Sequence, residues 1–182
     1  MDDGGRYYRE FLHGDRDALT RIIKEYKDGL TFFLLSVTGD PHAAEEAMQE
    51  TFVRLYVKKP RFDGRSGFRT WLYAIGRNTA RELLRKTKRG ALSTESPPED
   101  LPDPAGAYFR RERDRLVHRA MARLKPEYRQ ALWLRYFEET PVKEIARILR
   151  KTENGTNALL HRARIALKTE LEREGLTDED LY

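Results

Sequence analysis

The sequence predicts an all-α protein of two small helical domains joined by an extended linker, and three observations support that prediction. Apolar residues recur at spacings of three and four, and no stretch alternates with a period of two for long enough to form a strand. Basic residues fall in two blocks: residues 51–90 hold twelve Lys and Arg against two Asp and Glu, and residues 110–182 hold seventeen against thirteen. Between the blocks, residues 91–109 hold four acidic residues and no basic ones.

Composition limits the class of protein further. A chain of 182 residues with 39% hydrophobic content can bury one ordinary core or two small ones. The net charge of +5 suggests an anionic partner such as nucleic acid, although acidic lipid would satisfy the same balance. The absence of cysteine excludes disulfides and thiolate metal sites and fits a reducing compartment. With no signal-peptide pattern and no apolar run near ~18 residues, we expect a soluble, cytoplasmic protein without membrane insertion.

The first basic block follows three predicted helices. Residues 6–37 read as two helices, and Gly39 ends the second while Asp40 before Pro41 starts a third, from His42 to about Val57. Beside the buried stripe of this third helix lies a polar edge that is acidic at its upper end. The polar residues of that edge are Glu46, Gln49 and Glu50, and Val53 falls on the same side.

A basic loop and a long helix come next. Residues 58–67 contain one Pro and two Gly and cannot continue a helix. The helix from about Phe68 to Lys86 has an apolar stripe that includes Trp71, which we expect in the core rather than stacked on a base. Arg77, Arg81 and Arg85 stand at i, i+4 and i+8, where like charges repel unless an anion is nearby.

The acidic stretch separates the two halves. Residues 91–109 contain four of the eight prolines and show no periodicity, which predicts an extended linker. The expected domains are therefore residues 1–90 and 110–182, with the linker at 91–109.

The second half contains a helix-turn-helix pattern at residues 140–168. A short helix, Val142 to Leu149, is followed by a turn at Arg150 and Lys151 and by a second helix that the Thr152 hydroxyl can cap. In this layout the second helix can enter a DNA major groove, although a plain helical hairpin with a solvated polar face has the same pattern. The polar residues best placed to meet DNA are Lys151, Thr152, Glu153, Asn154, Asn157, His161, Arg162 and Arg164.

These motifs together resemble the extracytoplasmic-function (ECF) sigma factors of the sigma-70 family. In the first half the resemblance lies in residues 39–41, in the segment AEEAMQETFVRL at 44–55, in Arg61-Phe62 and in the segment FRTWLYAIGRN at 68–78. In the second half it lies in the segments LKPEYR at 124–129, EIA at 144–146 and HRAR at 161–164. Each string is weak evidence alone, but their order and spacing are specific to the family.

The resemblance implies a protein that binds core RNA polymerase and directs it to promoters, with no cofactor. It implies that Glu46, Gln49 and Glu50 dock on polymerase, that the linker threads through it, and that an anti-sigma factor binds the chain. It also implies that the basic loop and the following helix recognise and melt the −10 element, while the helix-turn-helix reads the −35 element. The −10 candidates are Lys58, Lys59, Arg61, Phe62, Arg65, Arg69, Arg77, Asn78, Arg81 and Arg85.

The reading helix departs from the family pattern. Arg150 replaces the usual Gly of the turn, Thr156 the usual Val or Ile, and Asn157 a frequent Lys. A non-Gly residue at positive φ costs on the order of 1 kcal/mol, and Gly155 in the first helical turn adds up to ~1 kcal/mol. The second domain is therefore expected to be less stable than usual, or its reading helix to start later. Asn157 in turn suggests readout of an adenine in the −35 element.

Two other functions are compatible with parts of the sequence. One is a one-component transcriptional regulator that uses the helix-turn-helix without docking on polymerase. The other is an enzyme in which His42 and Glu46 form an i, i+4 metal or acid–base pair. This pair of His42 and Glu46 has no third ligand at a suitable spacing. We therefore expect no metal site and no catalysis.

Overall fold

The computed structural model describes residues 3–90 and 112–174. The acidic linker with Glu95, Glu99, Asp100 and Asp103, and its expected path through polymerase, lie outside the described residues. Within them the regular structure is helical and contains no strand, which confirms the all-α prediction. The helices are α1 (Gly4–Leu12), α2 (Arg16–Thr38), α3 (Pro41–Lys58), α4 (Phe68–Gly90), α5 (Glu112–Arg123), α6 (Pro126–Leu132), α7 (Val142–Leu149) and α8 (Glu153–Arg173).

Helices α1–α4 form an N-terminal bundle around α2. The α2 stripe of Leu30, Phe33 and Leu34 is completely buried, and α1, α3 and α4 all pack on α2. The helices agree with the predicted ones to within about two residues, except that α4 continues past the expected Lys86 to Gly90.

Local chemistry sets the ends of these helices. The Asp15 carboxylate accepts hydrogen bonds from the backbone N–H groups of Asp17 and Ala18 and so caps α2. Asp40 caps α3 in the same way, with 2.7 Å between its Oδ1 and the nitrogen of Ala43. Between the two helices, Gly39 has φ of +74°, a conformation that glycine adopts without steric cost.

An aromatic cluster holds the basic loop against the bundle. Phe62 of the loop packs edge-on against Phe68 and also contacts Trp71, with ring centroids 5.5 and 5.2 Å apart. Trp71 packs in turn against Tyr8 at 5.1 Å. Trp71 is therefore partly buried and packs against the core, on the side that the helical spacing predicts.

Helices α5–α8 form a C-terminal bundle, in which α6 continues into a π-helical segment, Trp133–Phe137. The rings of Trp133 and Phe137 stack at 4.4 Å within this wider turn. The chain then turns at Glu139, whose φ is +49°, before α7 begins. The π-helical segment and this turn place Glu138 against the N-terminal bundle.

The two bundles pack against each other along α2 and α4. Helix α6 lies against α2, and α7 lies against α4. One apolar cluster includes Leu34 and Tyr73 from the N-terminal bundle and Leu134 and Ile148 from the C-terminal bundle. The described helices therefore share a continuous core, which the charge pattern did not predict. None of them is long and apolar enough to cross a membrane.

Candidate nucleic-acid interface

The helix-turn-helix has the geometry that its sequence predicts. Arg150 ends α7 in the left-handed region with φ of +56°, so the turn does require a positive φ at this non-glycine position. Thr152 caps α8 by accepting a hydrogen bond of 3.0 Å from the nitrogen of Gly155. Helix α8 therefore begins at Glu153 despite Gly155 in its first turn.

The inward position of α8 is filled by Thr156. This residue is completely buried, and its hydroxyl donates a hydrogen bond of 2.9 Å to the carbonyl oxygen of Thr152. A threonine with its hydroxyl satisfied locally occupies the space of a valine without leaving an unpaired polar group. Leu159, Leu160 and Ala163 bury the rest of the same face.

The opposite face of α8 and its preceding turn are open to solvent. Lys151 forms an ion pair with Glu127 at 3.7 Å, which leaves a third of its side chain exposed. Every residue expected to meet the −35 element is exposed: Lys151, Thr152, Glu153, Asn154, Asn157, His161, Arg162 and Arg164. The polar face of α8 is thus open to solvent, while Lys151 of the preceding turn is also paired with Glu127.

The basic loop and α4 present a second cationic surface. Lys59 has φ of +44°, and its ammonium group lies 5.3 Å from the centroid of the Phe11 ring. Phe62 is half-buried in the aromatic cluster described above, and Asn78 is half-buried beside α7. The exposed cations of this surface are Lys58, Lys59, Arg61, Arg65, Arg69, Arg81 and Arg85.

Arg77 does not lie on that surface. Only 6% of the residue is exposed, and its Nε donates a hydrogen bond of 2.8 Å to Oε1 of Gln130 in α6. Burial, followed by the charge of Arg81, lowers the pKa of Arg77 to about 10. Residues at i, i+4 and i+8 drift around a helix by about 40° per step. This drift turns Arg77 toward α6, so Arg77 is buried in this arrangement while Arg81 and Arg85 are exposed.

A polar cleft of about 330 Å³ lies where α4 meets the helix-turn-helix turn. Its lining includes Arg81 and Arg85 of α4 and Arg150 of the turn. The sequence assigned Arg150 only to the turn, because nothing local indicates that it approaches α4.

The acidic edge of α3 is only partly available to a partner. Glu46 and Gln49 are exposed, whereas Oε1 of Glu50 accepts a hydrogen bond of 2.8 Å from Nε of Arg54. Exposed apolar residues extend this face toward the end of the helix, and of these the helical spacing placed only Val53 on the edge. They are Val53, Tyr56 and Val57, with 52%, 50% and 68% of their surface exposed.

Polar contacts join the basic loop and α4 to the C-terminal bundle. Besides Gln130 with Arg77, Oε2 of Glu138 lies 3.0 Å from Nη1 of Arg69, and Nη1 of Arg147 donates a hydrogen bond of 2.9 Å to the carbonyl oxygen of Arg65. Gln130, Glu138 and Arg147 carry no signal in the sequence that marks them as contact residues. Their partners lie 53 to 82 residues away, so no local signal could have found them.

The alternative metal pair is not part of a larger site. Across residues 3–90 and 112–174 no three His, Cys, Asp or Glu side chains are grouped so that they could hold a metal ion.

Comparison with known proteins agrees with this geometry. The family model for sigma-70 region 2 matches residues 22–90, and the model for sigma-70 region 4 matches residues 114–167. The chain is 30% identical to the ECF RNA polymerase sigma factor SigW of Bacillus subtilis over 175 residues, which cover 90% of this chain and 94% of SigW. It is 31% identical to SigM of the same organism over 171 residues, covering 89% of this chain and 99% of SigM.

The chain belongs to the ECF subfamily of sigma-70 family RNA polymerase sigma factors. It is a transcription initiation factor of this class, in which the region 2 and region 4 domains act in promoter recognition and initiation.

Solved structures share the fold. The sigma factor RpoE of Bartonella quintana, in complex with the anti-sigma factor NepR, superimposes with a TM-score of 0.65 at 19% identity, covering 84% of this chain and 96% of RpoE. CnrH in complex with the cytosolic domain of CnrY gives a TM-score of 0.68 at 20% identity, covering 95% and 99% of the two chains.

Proposed function

We propose that this sigma factor reads the −35 element with the exposed face of α8 and melts the −10 element on the basic loop and α4. The observation that supports the −35 assignment best is the exposure of one polar face on a capped helix whose other face is buried. In the proposed division of the chain, residues 1–90 hold the −10 surface and residues 110–182 the −35 surface, with residues 91–109 as the connector.

The proposed −10 surface combines charge with an aromatic group. A cationic surface holds the phosphates of a melted strand, and base stacking on aromatic rings adds to that attraction. The exposed ammonium and guanidinium groups of the loop and of α4 supply the charge. Phe62, half-buried among other rings, is the aromatic group of this surface.

Docking on core polymerase is assigned to α3. Glu46 and Gln49 are exposed there, and the exposed apolar residues 53, 56 and 57 follow them along the helix. An apolar centre with charged neighbours is the usual composition of a protein interface, and complementary charge orients the encounter. Glu50 has a second role, since it positions Arg54.

The remaining assignments follow from this function. The protein acts as an initiation factor without catalysing a reaction of its own, and it acts in the cytoplasm together with RNA polymerase. One structural neighbour, RpoE, is a sigma factor in complex with an anti-sigma factor, and another, CnrH, is in complex with the cytosolic domain of CnrY. We propose an anti-sigma factor as a partner of this chain as well.

The direct test is transcription in vitro from a library of genomic fragments by core polymerase with and without this protein. Promoter-specific transcripts that require the protein are expected. A protein that binds DNA but neither co-purifies with core polymerase nor yields such transcripts would be a one-component regulator instead.

A charge reversal tests the docking surface separately. Glu46→Lys should weaken binding to core polymerase while leaving the affinity of the protein for −35 DNA unchanged. Glu172→Lys, an exposed position near the end of α8, is the matched control with the same change in charge. Equal effects of the two variants on polymerase binding would contradict the assignment to α3.

A further inference from the structure

The polar cleft between α4 and the helix-turn-helix turn is lined by arginines from both bundles. Arg81 and Arg85 stand one helical turn apart on α4, and Arg150 joins them from the end of α7. Nε of Arg85 donates a hydrogen bond of 3.3 Å to the carbonyl oxygen of Arg81, which holds the Arg85 side chain back along the helix. Three arginines therefore line one recess.

The chain leaves the charge of these three arginines without an ion-pair partner. Within residues 3–90 and 112–174, none of the three forms an ion pair with a carboxylate. Among the described lining residues only Glu82 has a carboxylate, and its Oε2 is already bonded to Arg54 at 2.8 Å. Glu127 of α6 is likewise paired, with Lys151 at 3.7 Å. The cleft is therefore a recess of positive charge.

A fourth guanidinium near the cleft has a nitrogen without a partner. Only 6% of Arg77, one turn before Arg81, is exposed, and its Nη1 has no hydrogen-bond partner in the described parts of the chain. Burial, and then the charges of Arg81 and Arg150, lower the pKa of Arg77 to about 10, against the opposing charge of Glu127. An anion in the cleft would relieve this repulsion between like charges.

The size and chemistry of the cleft fit a small anion with linked phosphate groups. Its volume of about 330 Å³ lies at the small end of the range for ligand pockets, which begins near ~300 Å³. A guanidinium binds phosphate oxygens through two parallel hydrogen bonds, and three such groups match a pyrophosphoryl group better than a single phosphate. Asn78, half-buried in the same lining, adds an amide that can donate to a phosphate oxygen.

We propose that the cleft between α4 and the turn binds a small polyphosphate, either inorganic pyrophosphate or the diphosphate group of a nucleotide, through Arg81, Arg85 and Arg150. Nucleic acid carries the same phosphate chemistry, but a recess of this volume encloses a pair of phosphates rather than a run of nucleotides. The proposal does not rest on the −10 role of α4, because no DNA takes part in this binding. Since Arg81 and Arg85 are also −10 candidates, the bound anion and a melted strand compete for the same two side chains.

Calorimetric titration of the full chain with pyrophosphate at fixed ionic strength tests the site. Arg81→Gln and Arg9→Gln remove the same charge from exposed helical positions, the first in the cleft and the second on α1. We expect Arg9→Gln to bind pyrophosphate as the wild-type protein does and Arg81→Gln to bind it at least about tenfold more weakly, since a charged hydrogen bond is lost. Equal affinities of the two variants would overturn the proposal.

The turn supplies a second test from the other bundle. Arg150→Asn removes the guanidinium and introduces a residue type that tolerates the φ of +56° at this position. We expect a loss of affinity similar to that of Arg81→Gln, with unchanged helical content by circular dichroism. Arg150→Lys keeps the charge but loses the planar fork, so its affinity should lie between those of Arg150→Asn and the wild-type protein. Unchanged affinity in Arg150→Asn would rule out a site that spans both bundles.

Other anions identify the class of ligand. Orthophosphate and sulfate at the same ionic strength should bind the wild-type protein at least about tenfold more weakly than pyrophosphate. Sulfate that binds as tightly as pyrophosphate would show general attraction of anions and no built site. If pyrophosphate does not bind and Arg81→Gln weakens binding of a single-stranded DNA oligonucleotide, the cleft belongs to a nucleic-acid surface only. That result would contradict the polyphosphate site and leave the proposed −10 role intact.

Discussion

Arg54 of α3 and Glu82 of α4 form an ion pair of 2.8 Å between Nη2 and Oε2. The Nε of the same guanidinium donates to Glu50, also at 2.8 Å, and only 18% of the Arg54 side chain is exposed. Hydrogen bonds to Glu50 and Glu82 raise the pKa of Arg54, and the hydrogen bond from Arg54 lowers the pKa of Glu82. One guanidinium therefore fixes the helix assigned to polymerase against the helix assigned to DNA.

Replacement of this group should loosen the N-terminal bundle. Arg54→Met keeps the aliphatic contact and removes both bonds, and we expect a loss of about 1–2 kcal/mol in the free energy of unfolding, measured in urea. Because the pKa of Glu82 is lowered in the folded state, the stabilisation that Glu82 contributes is present above pH 4.5, the ordinary pKa of its carboxyl group. This stabilisation, and with it part of the difference between Arg54→Met and the wild-type protein, is lost as the pH falls below that value. Arg162→Met, at an exposed position of α8, should change stability little; an equal loss there would contradict the prediction.

The turn of the helix-turn-helix should be stabilised by glycine. Arg150 has φ of +56°, where a side chain costs on the order of 1 kcal/mol and glycine costs almost nothing. Arg150→Gly should therefore be more stable than Arg150→Ala by up to ~1 kcal/mol. Both variants lose the same guanidinium, so the difference in their urea midpoints reports the backbone alone. Equal midpoints would show that the turn relaxes around a Cβ.

Alkaline pH should weaken the protein through Tyr8. This residue is buried, its hydroxyl donates a hydrogen bond of 2.7 Å to the carbonyl oxygen of Pro60, and burial raises its pKa to about 12. The folded state favours the neutral phenol of Tyr8. The stabilisation that this phenol contributes is therefore complete below pH 10.0, its ordinary pKa, and is lost as the pH rises toward 12. In Tyr8→Phe the free energy of unfolding should be about 1 kcal/mol lower at pH 7 and should fall less steeply above pH 10.

Tyr136→Phe is the control for this experiment, since 54% of that residue is exposed. It should keep the wild-type dependence on pH. If Tyr8→Phe has the same alkaline slope as the wild-type protein, ionisation of Tyr8 does not limit stability.

Asn157 should specify one base of the −35 element. Its amide is exposed in the second turn of α8, and an amide pairs bidentately with adenine. Selection of promoter sequences with wild-type protein and Asn157→Ala should show that the variant loses a preference for adenine at one −35 position, equivalent to about 1–3 kcal/mol. Asn154→Ala tests whether the neighbouring amide reads a different position. An unchanged preference at every −35 position in Asn157→Ala would remove Asn157 as a reader.

The sequence predicted most of the local structure because local structure depends on near neighbours. Asp40 with Pro41, Gly39 and Thr152 define helix ends through bonds to residues no more than four positions away. The 3.6-residue period likewise separates Thr156 and Leu159, which are buried, from Asn157 and Arg162, which are exposed. The whole proposed −35 face followed from this period.

The proposed −10 surface was less predictable. The spacing of Arg77, Arg81 and Arg85 placed all three on one side of α4. That side packs against α6 at Arg77 and faces solvent at Arg81 and Arg85. The periodicity of a helix shows which residues share a face and does not show what covers the face.

By itself, then, the sequence determined the helical fold class, the helix ends and the family to which the chain belongs, since each depends on short spacings and on residue types. Only the tertiary structure decided that Glu138 lies at Arg69 and Gln130 at Arg77. These pairs are separated by 69 and 53 residues, and such contacts arise from the packing of one bundle on the other. That packing buries apolar residues of both bundles in one cluster and leaves no signal in any single segment.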